Sequence, residues 1–546
     1  MISRKSSAFS YSNLNNFGSV HYRTKSIIQP NQNPSYILNR FTTITENEQS
    51  SKLNPMMVMS SSSGSFFENM NNPKTVAAPM VAQSDLAFRQ LCRKYDTDLA
   101  FTQMIHAKNF VLSETFQDYH LDVYCEKQKH HTRLLPSQIN LLRFHENEDD
   151  AIVEKRHQYL LQSFMDSNNN NNPFIDNGPV IVQLAGHDPL TMVNAAKIVL
   201  ERTDHNIAGI DVNLGCPQNI ARKGKYGAFL MQDDFDLTLK ILSSLRNSLP
   251  ESIGLSAKIR IPAIPYMDTN NAIKTQEQKL QKQVNRLIED GKIDLLTVHG
   301  RSLLENKTKV RHCHWNMIKK AVEIAHQHNI PVISNGGIEH PTDIIKCLEA
   351  TKANAVMSSE ALLENPGLFS SNAYFSKNEE QYTARELFHR QIKYSLEYLD
   401  LAALTPPLPG SLGIEGGSFN VVRGHLFKIL YRYLECHPDL RSLLGSHKGD
   451  MQRLHQAKDL ILTLQERHDA LSDSEMFLMY KGEGKDVPSS WYRRHRDSIT
   501  LSQTTDASNN YSVLSVAEKK KQMMERIQIL RAQKEKRKTI GKEIYQ

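Results

Sequence analysis

Residues 208–223 read AGIDVNLGCPQNIARK: an apolar run with a polar residue near its end, one thiol between a glycine and a proline, then a basic stretch. AGIDVNL (208–214) is apolar along its length instead of alternating, as a strand buried on both faces of a parallel sheet must be. Gly215 and Pro217 then force a tight turn, which sets Cys216 just beyond the C-terminal end of that strand. The turn makes this thiol different from the small core residue that a cysteine after a strand usually is.

Seven more runs of the same kind lie to either side: TVAAPM (75–80), DLAFTQM (98–104), PVIVQL (179–184), GLSAKIRI (254–261), DLLTVHG (294–300), PVISNGG (331–337) and ANAVMSS (353–359). Segments such as NAAKIVLER and HWNMIKKAVEIAHQH separate them and carry apolar residues at helical spacing. Eight βα units over about 300 residues fit a (β/α)8 TIM barrel better than a doubly wound sheet. Met80, Gln183, Asn213, Lys258, His299, Asn335 and Glu360 fall at or near the C-terminal ends of these runs, and in a barrel those ends form the one face that carries an active site.

The flanks differ. Residues 1–72 are rich in Ser and Asn and predict a disordered extension. Up to Glu46 they hold Arg4, Lys5, Arg23, Lys25 and Arg40 and no acid, the composition of a mitochondrial transit peptide or of a merely polar extension. Residues 73–378 are assigned to the barrel. Residues 379–470 turn wholly helical, in YTARELFHRQIKYSLEYLDLAAL, FNVVRGHLFKILYRYLECH and LHQAKDLILTLQERH, and predict a small all-α domain. Residues 471–546 form a linker and tail, which from 518 onward holds ten Lys or Arg against four Glu. That segment carries most of the formal net charge of +7.

No run approaches the roughly 20 apolar residues of a membrane helix, so a soluble chain without membrane partners is expected. Cysteines at 92, 125, 216, 313, 347 and 436 form no CxxC pair, which argues against a disulfide framework and against a zinc site. The expectation is a monomer in the cytoplasm or nucleus, with mitochondria as the alternative.

Several residue sets point to chemistry. The thiol of Cys216, with an ordinary pKa of about 8.5, serves as readily as a proton donor as it does as a nucleophile. In SNGGIEHPTD (334–343), two glycines follow the seventh strand directly and a helix starts at Pro341, the arrangement in which barrels hold phosphate on backbone N–H groups. Lys258 within SAKIRI is costly in a barrel strand unless something anionic meets it, a ligand or a salt bridge at the barrel bottom. His299 in TVHGR is a ligand contact or a capped structural histidine, with Arg301 beside it.

Taken together, APM (78–80), VQLAGHDP (182–189), DVNLGCP (211–217), KIR (258–260), HGR (299–301), SNGGI (334–338) and VMSSEALLENPGLF (356–369) resemble the tRNA-dihydrouridine synthases. Within the family, MSSE and the opening APMVAQSDLAFR look most like the eukaryotic enzymes acting at positions 16 and 17 of the tRNA D-loop. The resemblance implies FMN at the barrel mouth, with Pro79, Met80 and Val81 at its ring and Gln183, Lys258 and His299 at its polar edge. Asn335, Gly336, Gly337, Ser359 and Glu360 would take the phosphate side. Because MSSE puts a carboxylate where many relatives have an arginine, phosphate binding there would rest on backbone N–H groups. The resemblance further implies NAD(P)H as reductant, tRNA as substrate, Cys216 as proton donor, and Asn213 and Arg301 as uracil contacts. Arg423, Lys428 and Arg432 are candidates for RNA backbone contact in the helical segment. The alternative is an FMN barrel of the dihydroorotate-dehydrogenase type acting on a free small molecule, against which the basic tail and the helical segment weigh.

Overall fold

The computed structural model describes residues 66–123, 148–155, 158, 178–263, 270–306, 310, 312–370, 383–408, 417–446 and 454–476. The predicted extension up to residue 65, the Asn-rich stretch 166–177, expected from its composition to be a surface loop insertion, and the basic tail lie outside the described residues.

Nine parallel strands build the sheet: β1 (Thr75–Ala77), β2 (Leu99–Phe101), β3 (Ile105–His106), β4 (Val180–Ala185), β5 (Gly209–Leu214), β6 (Gly254–Arg260), β7 (Leu295–His299), β8 (Val332–Asn335) and β9 (Ala355–Ser358). β1 pairs with both β2 and β9, and β2 pairs with β4, so the ring closes. β3 also lies on β4, through Ile105↔Leu184 and His106↔Ala185. β2 and β3 are thus one barrel strand in two pieces, and the sheet is the predicted eight-membered barrel. At the interruption Thr102 Oγ1 accepts the backbone N–H of Gln183 at 3.2 Å, while Gln103 Oε1 accepts that of Ala82, in the loop after β1, at 3.1 Å.

The helices are α1 (Leu86–Lys94), α2 (Ala107–Leu112), α3 (Glu114–His120), α4 (Pro189–Arg202), α5 (Asn219–Lys223), α6 (Ala228–Asp233), α7 (Phe235–Arg246), α8 (Asn270–Glu289), α9 (Trp315–Gln327), α10 (Pro341–Thr351) and α11 (Glu360–Glu364). Beyond them come α12 (Ala384–Leu404), α13 (Gly417–Ile429), α14 (Tyr431–Cys436), α15 (Pro438–Ser446) and α16 (Leu454–Asp469). The continuous second helix expected through VVRGHLFKILYRYLECH is interrupted at Leu430, and α15 is an element the sequence pattern did not announce. Thr383 and Glu386 start α12 with a reciprocal capping box.

Inside the ring, Val76, Leu99, Phe101, Ile181, Leu295, Ile333 and Met357 form the barrel core, continued by Phe67 and Met70 from the segment before β1. A second core joins Phe88, Leu91, Ile344 and Leu362 from the barrel to Phe388, Tyr398, Val422, Leu426 and Leu460 from the later helices. Each such large apolar side chain contributes roughly 1.5–3 kcal/mol when fully buried, and this shared core fixes the helical segment on the first and last barrel units. A buried ion pair, Arg89 to Asp122 at 2.9 Å, lies beside it.

Exposure along the strands locates the site. Among all nine, only His106, Asn213, Lys258, Arg260 and His299 are not fully buried, and all five stand at or near a C-terminal end. The strands are also shorter than predicted at those ends: Pro79 and Met80, Gly336 and Gly337, and Ser359 leave the ladder and enter the mouth loops.

Candidate active site at the barrel mouth

The turn after β5 is held by its own last polar side chain. Asn213 Oδ1 accepts the backbone N–H groups of Gly215 at 3.2 Å and Cys216 at 3.0 Å, the local bonding that favours Asn at turns. Its Nδ2 donates to Gln183 Oε1 at 2.8 Å, Gln183 Nε2 donates to Asp211 Oδ2 at 2.8 Å, and Ser256 Oγ donates to Asp211 Oδ1 at 2.7 Å. The register that sets Gln183 opposite Asp211 and Asp211 opposite Ser256 lines these side chains up across β4, β5 and β6. Gln183, which the resemblance sets at the flavin's polar edge, is buried, and its Oε1 holds the Asn213 amide.

Two further groups fix the loop. Gly227 has φ +69°, and a Cβ there would stand 2.8 Å from the Cys216 carbonyl oxygen and 2.9 Å from its Cβ, so only glycine fits. Arg260 Nε donates to the Gly215 carbonyl at 2.8 Å and its Nη1 to that of Ser302 at 3.2 Å, bracing the cysteine loop against the loop after β7. The Cys216 thiol is half-buried, and burial pushes its pKa up, against the opposing pull of the Gln218 backbone N–H, Arg260 and Lys258. It keeps its proton at neutral pH, the state an acid needs and a nucleophile does not.

Facing this loop stands a group of cations. Lys258 Nζ donates to Asn335 Oδ1 at 2.7 Å, and Asn335 Nδ2 to the Met357 carbonyl at 3.0 Å. Burial first, then Arg260, pushes the Lys258 ammonium down to about 8, and burial first, then Arg301, pushes Arg260 down to about 10. Arg301 Nη1 donates to His299 Nε2 at 3.3 Å, and burial together with Arg260, Lys258 and Arg301 holds that imidazole well below its ordinary pKa. His299 is thus neutral. Beneath them burial raises Asp211 to about 6. Three cations converging on a mouth with one buried carboxylate below them suit an anionic ligand.

The turn after β8 supplies backbone donors. Gly336 and Gly337 have φ +99° and +80°; a Cβ would meet the His299 ring at 2.8 Å at the first and Trp315 Nε1 at 2.9 Å at the second. Trp315 Nε1 donates to the Gly336 carbonyl at 3.1 Å and holds the turn. Among the described residues no hydrogen bond occupies the N–H groups of Gly336 and Gly337. By contrast, Asp343 accepts the N–H groups of Glu339 at 3.0 Å and His340 at 2.9 Å, so the start of α10 is already capped. A cradle with two free backbone donors, closed to any side chain and flanked by Lys258, fits a phosphate-bearing cofactor.

Of the other expected positions, Pro79 and Met80 line the β1–α1 loop half-buried and Val81 is exposed. Arg301 is buried beside His299. Ser359 and Glu360 stand at the start of α11, the first half-buried and the second exposed. In the helical segment, Arg423 donates to Asn420 on its own helix, Lys428 Nζ donates to Gln83 Oε1 of the barrel, and Arg432 is half-buried. Sequence reasoning gave Arg260, Asp211, Ser256 and Gly227 no role in the site. Alternation from Lys258 was the one signal that could have found Arg260.

The sequence profile described as dihydrouridine synthase (Dus) matches residues 75–139 and 149–401, which spans all nine strands and most of α12. The chain belongs to the dihydrouridine synthase family. As a dihydrouridine synthase it is an oxidoreductase, and it is similar to proteins named for the 16/17 type, as the resemblance implied. It is 30% identical over 380 residues to the tRNA-dihydrouridine(16/17) synthase [NAD(P)(+)] of Saccharomyces cerevisiae, covering 70% of each chain. It is 30% identical over 384 residues to the protein of that name from Schizosaccharomyces pombe, covering 70% of this chain and 75% of that one. To the tRNA-dihydrouridine(16/17) synthase [NAD(P)(+)]-like protein of Rattus norvegicus it is 30% identical over 380 residues, 69% of this chain and 65% of the relative.

Proposed function

We propose that this dihydrouridine synthase reduces the C5–C6 double bond of uridine at positions 16 and 17 of the tRNA D-loop, with FMN as its flavin and NAD(P)H as reductant. The observation that carries the reading is the pairing of a protonated thiol on a rigid turn with a cationic cradle across the mouth.

Pro79, Met80 and Val81 would lie along the flavin ring, Lys258 and His299 at its polar edge, and Asn335, Gly336, Gly337, Ser359 and Glu360 on the phosphate side. When bound and reduced, FMN supplies the hydride for C6. Everything else falls to the chain. Cys216 Sγ–H gives its proton to C5, so that hydride and proton together saturate the bond. Asn213 keeps one Nδ2 hydrogen beyond the one given to Gln183, and with the Arg301 guanidinium it supplies donors for the uracil carbonyls. The Lys258 ammonium and the neighbouring arginines offset negative charge that develops in the ring system. The target base must leave its stack to reach the mouth, and the helical segment, with the basic tail, is read as the part that grips RNA.

Purified protein should be yellow, and should convert uridine in unmodified tRNA when NADPH is supplied, with mass spectrometry locating the product at positions 16 and 17. A colourless protein that reconstitutes with no flavin, or product elsewhere in the tRNA, would overturn the reading.

A further inference from the structure

The loop between β1 and α1, residues 78–85, presents Pro79, Met80 and Val81, and it is held from two sides. From the barrel, Ser84 Oγ donates to the Ala78 carbonyl at 3.0 Å and accepts the Met80 N–H at 2.8 Å, while Arg89 Nη1 donates to the Ser84 carbonyl at 2.6 Å. From the helical segment, His425 Nε2 donates to Asp85 Oδ2 at 2.7 Å, the Tyr398 hydroxyl to Asp85 Oδ1 at 3.4 Å, and Lys428 Nζ to Gln83 Oε1 at 2.5 Å. Between the two anchors Ala82 takes φ +56°, a left-handed conformation that a residue with a Cβ keeps only where its surroundings impose it.

His425 is fully buried, with its ring stacked on Phe88 at 4.5 Å and 23°. Its Nδ1 has no hydrogen-bond partner among the described residues. An orphaned buried nitrogen disfavours the fold relative to an apolar side chain of the same size, so packing alone does not explain a histidine here. What the imidazole adds is a directed bond to Asp85, the residue that ends the loop and caps α1 through the Phe88 N–H at 3.1 Å.

We propose that His425 is a positioning residue for the cofactor loop: through Asp85, and with Lys428 acting on Gln83, the helical segment sets how tightly the barrel mouth holds its flavin. This rests on the assignment of FMN to that mouth.

The test uses the full chain, stripped of flavin and titrated with FMN by fluorescence quenching. His425→Phe keeps the stacked ring and removes the donor, and His425→Gln keeps a donor. The expected result is an FMN affinity about tenfold weaker in His425→Phe, largely restored in His425→Gln, and weakened also in Lys428→Met, with the thermal midpoints of the two His425 variants alike. A flavin affinity equal to wild type in both His425→Phe and Lys428→Met would overturn the proposal. Should His425→Phe not fold, Lys428→Met, altered at a half-buried position, decides alone: an unchanged affinity overturns it. A wild-type chain that binds no FMN sinks both this inference and the function it rests on, whereas variants indistinguishable from a wild type that does bind sink this inference alone.

Discussion

Asn213 accepts the backbone N–H of Cys216 at 3.0 Å while donating its own amide N–H to Gln183 at 2.8 Å. The side chain offered to the uracil is therefore the one that sets the turn carrying the acid, and a chain of buried hydrogen bonds through Gln183 and Asp211 keeps it in place. Asn213→Ala should lower turnover about a hundredfold, because it removes a substrate contact and loosens the thiol together. Gln183→Leu, two bonds away from the thiol and buried, should give a smaller loss of about tenfold with flavin still bound. Steady-state kinetics on unmodified tRNA compare the two; equal losses would contradict this ranking.

Activity should fall as pH rises through about 8, where Lys258 gives up its proton. Lys258→Arg, which keeps its charge, should move that limb upward. Stability should run the other way. The unfolded chain holds this proton up to about 10.5 and the folded chain releases it near 8, so the unfolded state binds more protons in between. Lys258 then makes folding more favourable as pH rises from about 8 to 10.5. On the acid side, protonation of Asp211 below about 6 weakens its acceptance from Gln183, and Asp211→Asn should abolish that limb. Profiles of kcat/KM against pH for the three proteins check this.

Gly337→Ala places a Cβ 2.9 Å from Trp315 Nε1 on a backbone with φ +80°. The conformational part alone costs about 1–2 kcal/mol. The variant should lose flavin on dialysis while tRNA binding persists. Retained flavin with normal affinity would show that this turn does not hold the cofactor.

Arg89→Met takes from the buried Asp122 carboxylate the guanidinium it pairs with at 2.9 Å, and should destabilise the protein by about 3–5 kcal/mol in chemical denaturation. Adding Asp122→Leu should recover part of that loss, since two apolar residues in place of a buried pair are often close to neutral. A single variant as stable as wild type would contradict the burial described for the pair.

Much of the site is legible in the sequence because its residues sit where apolar strands stop: Cys216 after AGIDVNL, Lys258 and His299 near the ends of their runs, Gly336 and Gly337 at the seventh turn. What those positions could not reveal is rank within the mouth. Whether a strand-end residue faces the opening, as Asn213 does, or is buried against a neighbour, as Gln183 is, depends on the register between β4, β5 and β6, and a single sequence carries no register. The bond from His425 to Asp85 spans 340 residues and follows from no local pattern. Lys428, which sequence reasoning offered to RNA, reaches a barrel loop, because helical spacing marks a face without saying what packs on it. The break at Leu430 has no proline or glycine within five residues to announce it.

The central claim is that the Cys216 thiol is the acid that completes the reduction. It is tested most directly with Cys216→Ala protein, reduced beforehand and mixed with unmodified tRNA, by following dihydrouridine formation in a single turnover. The account predicts a variant that keeps its flavin and its tRNA affinity while product forms at least about a hundredfold more slowly than in wild type. Product formed at the wild-type rate would contradict it.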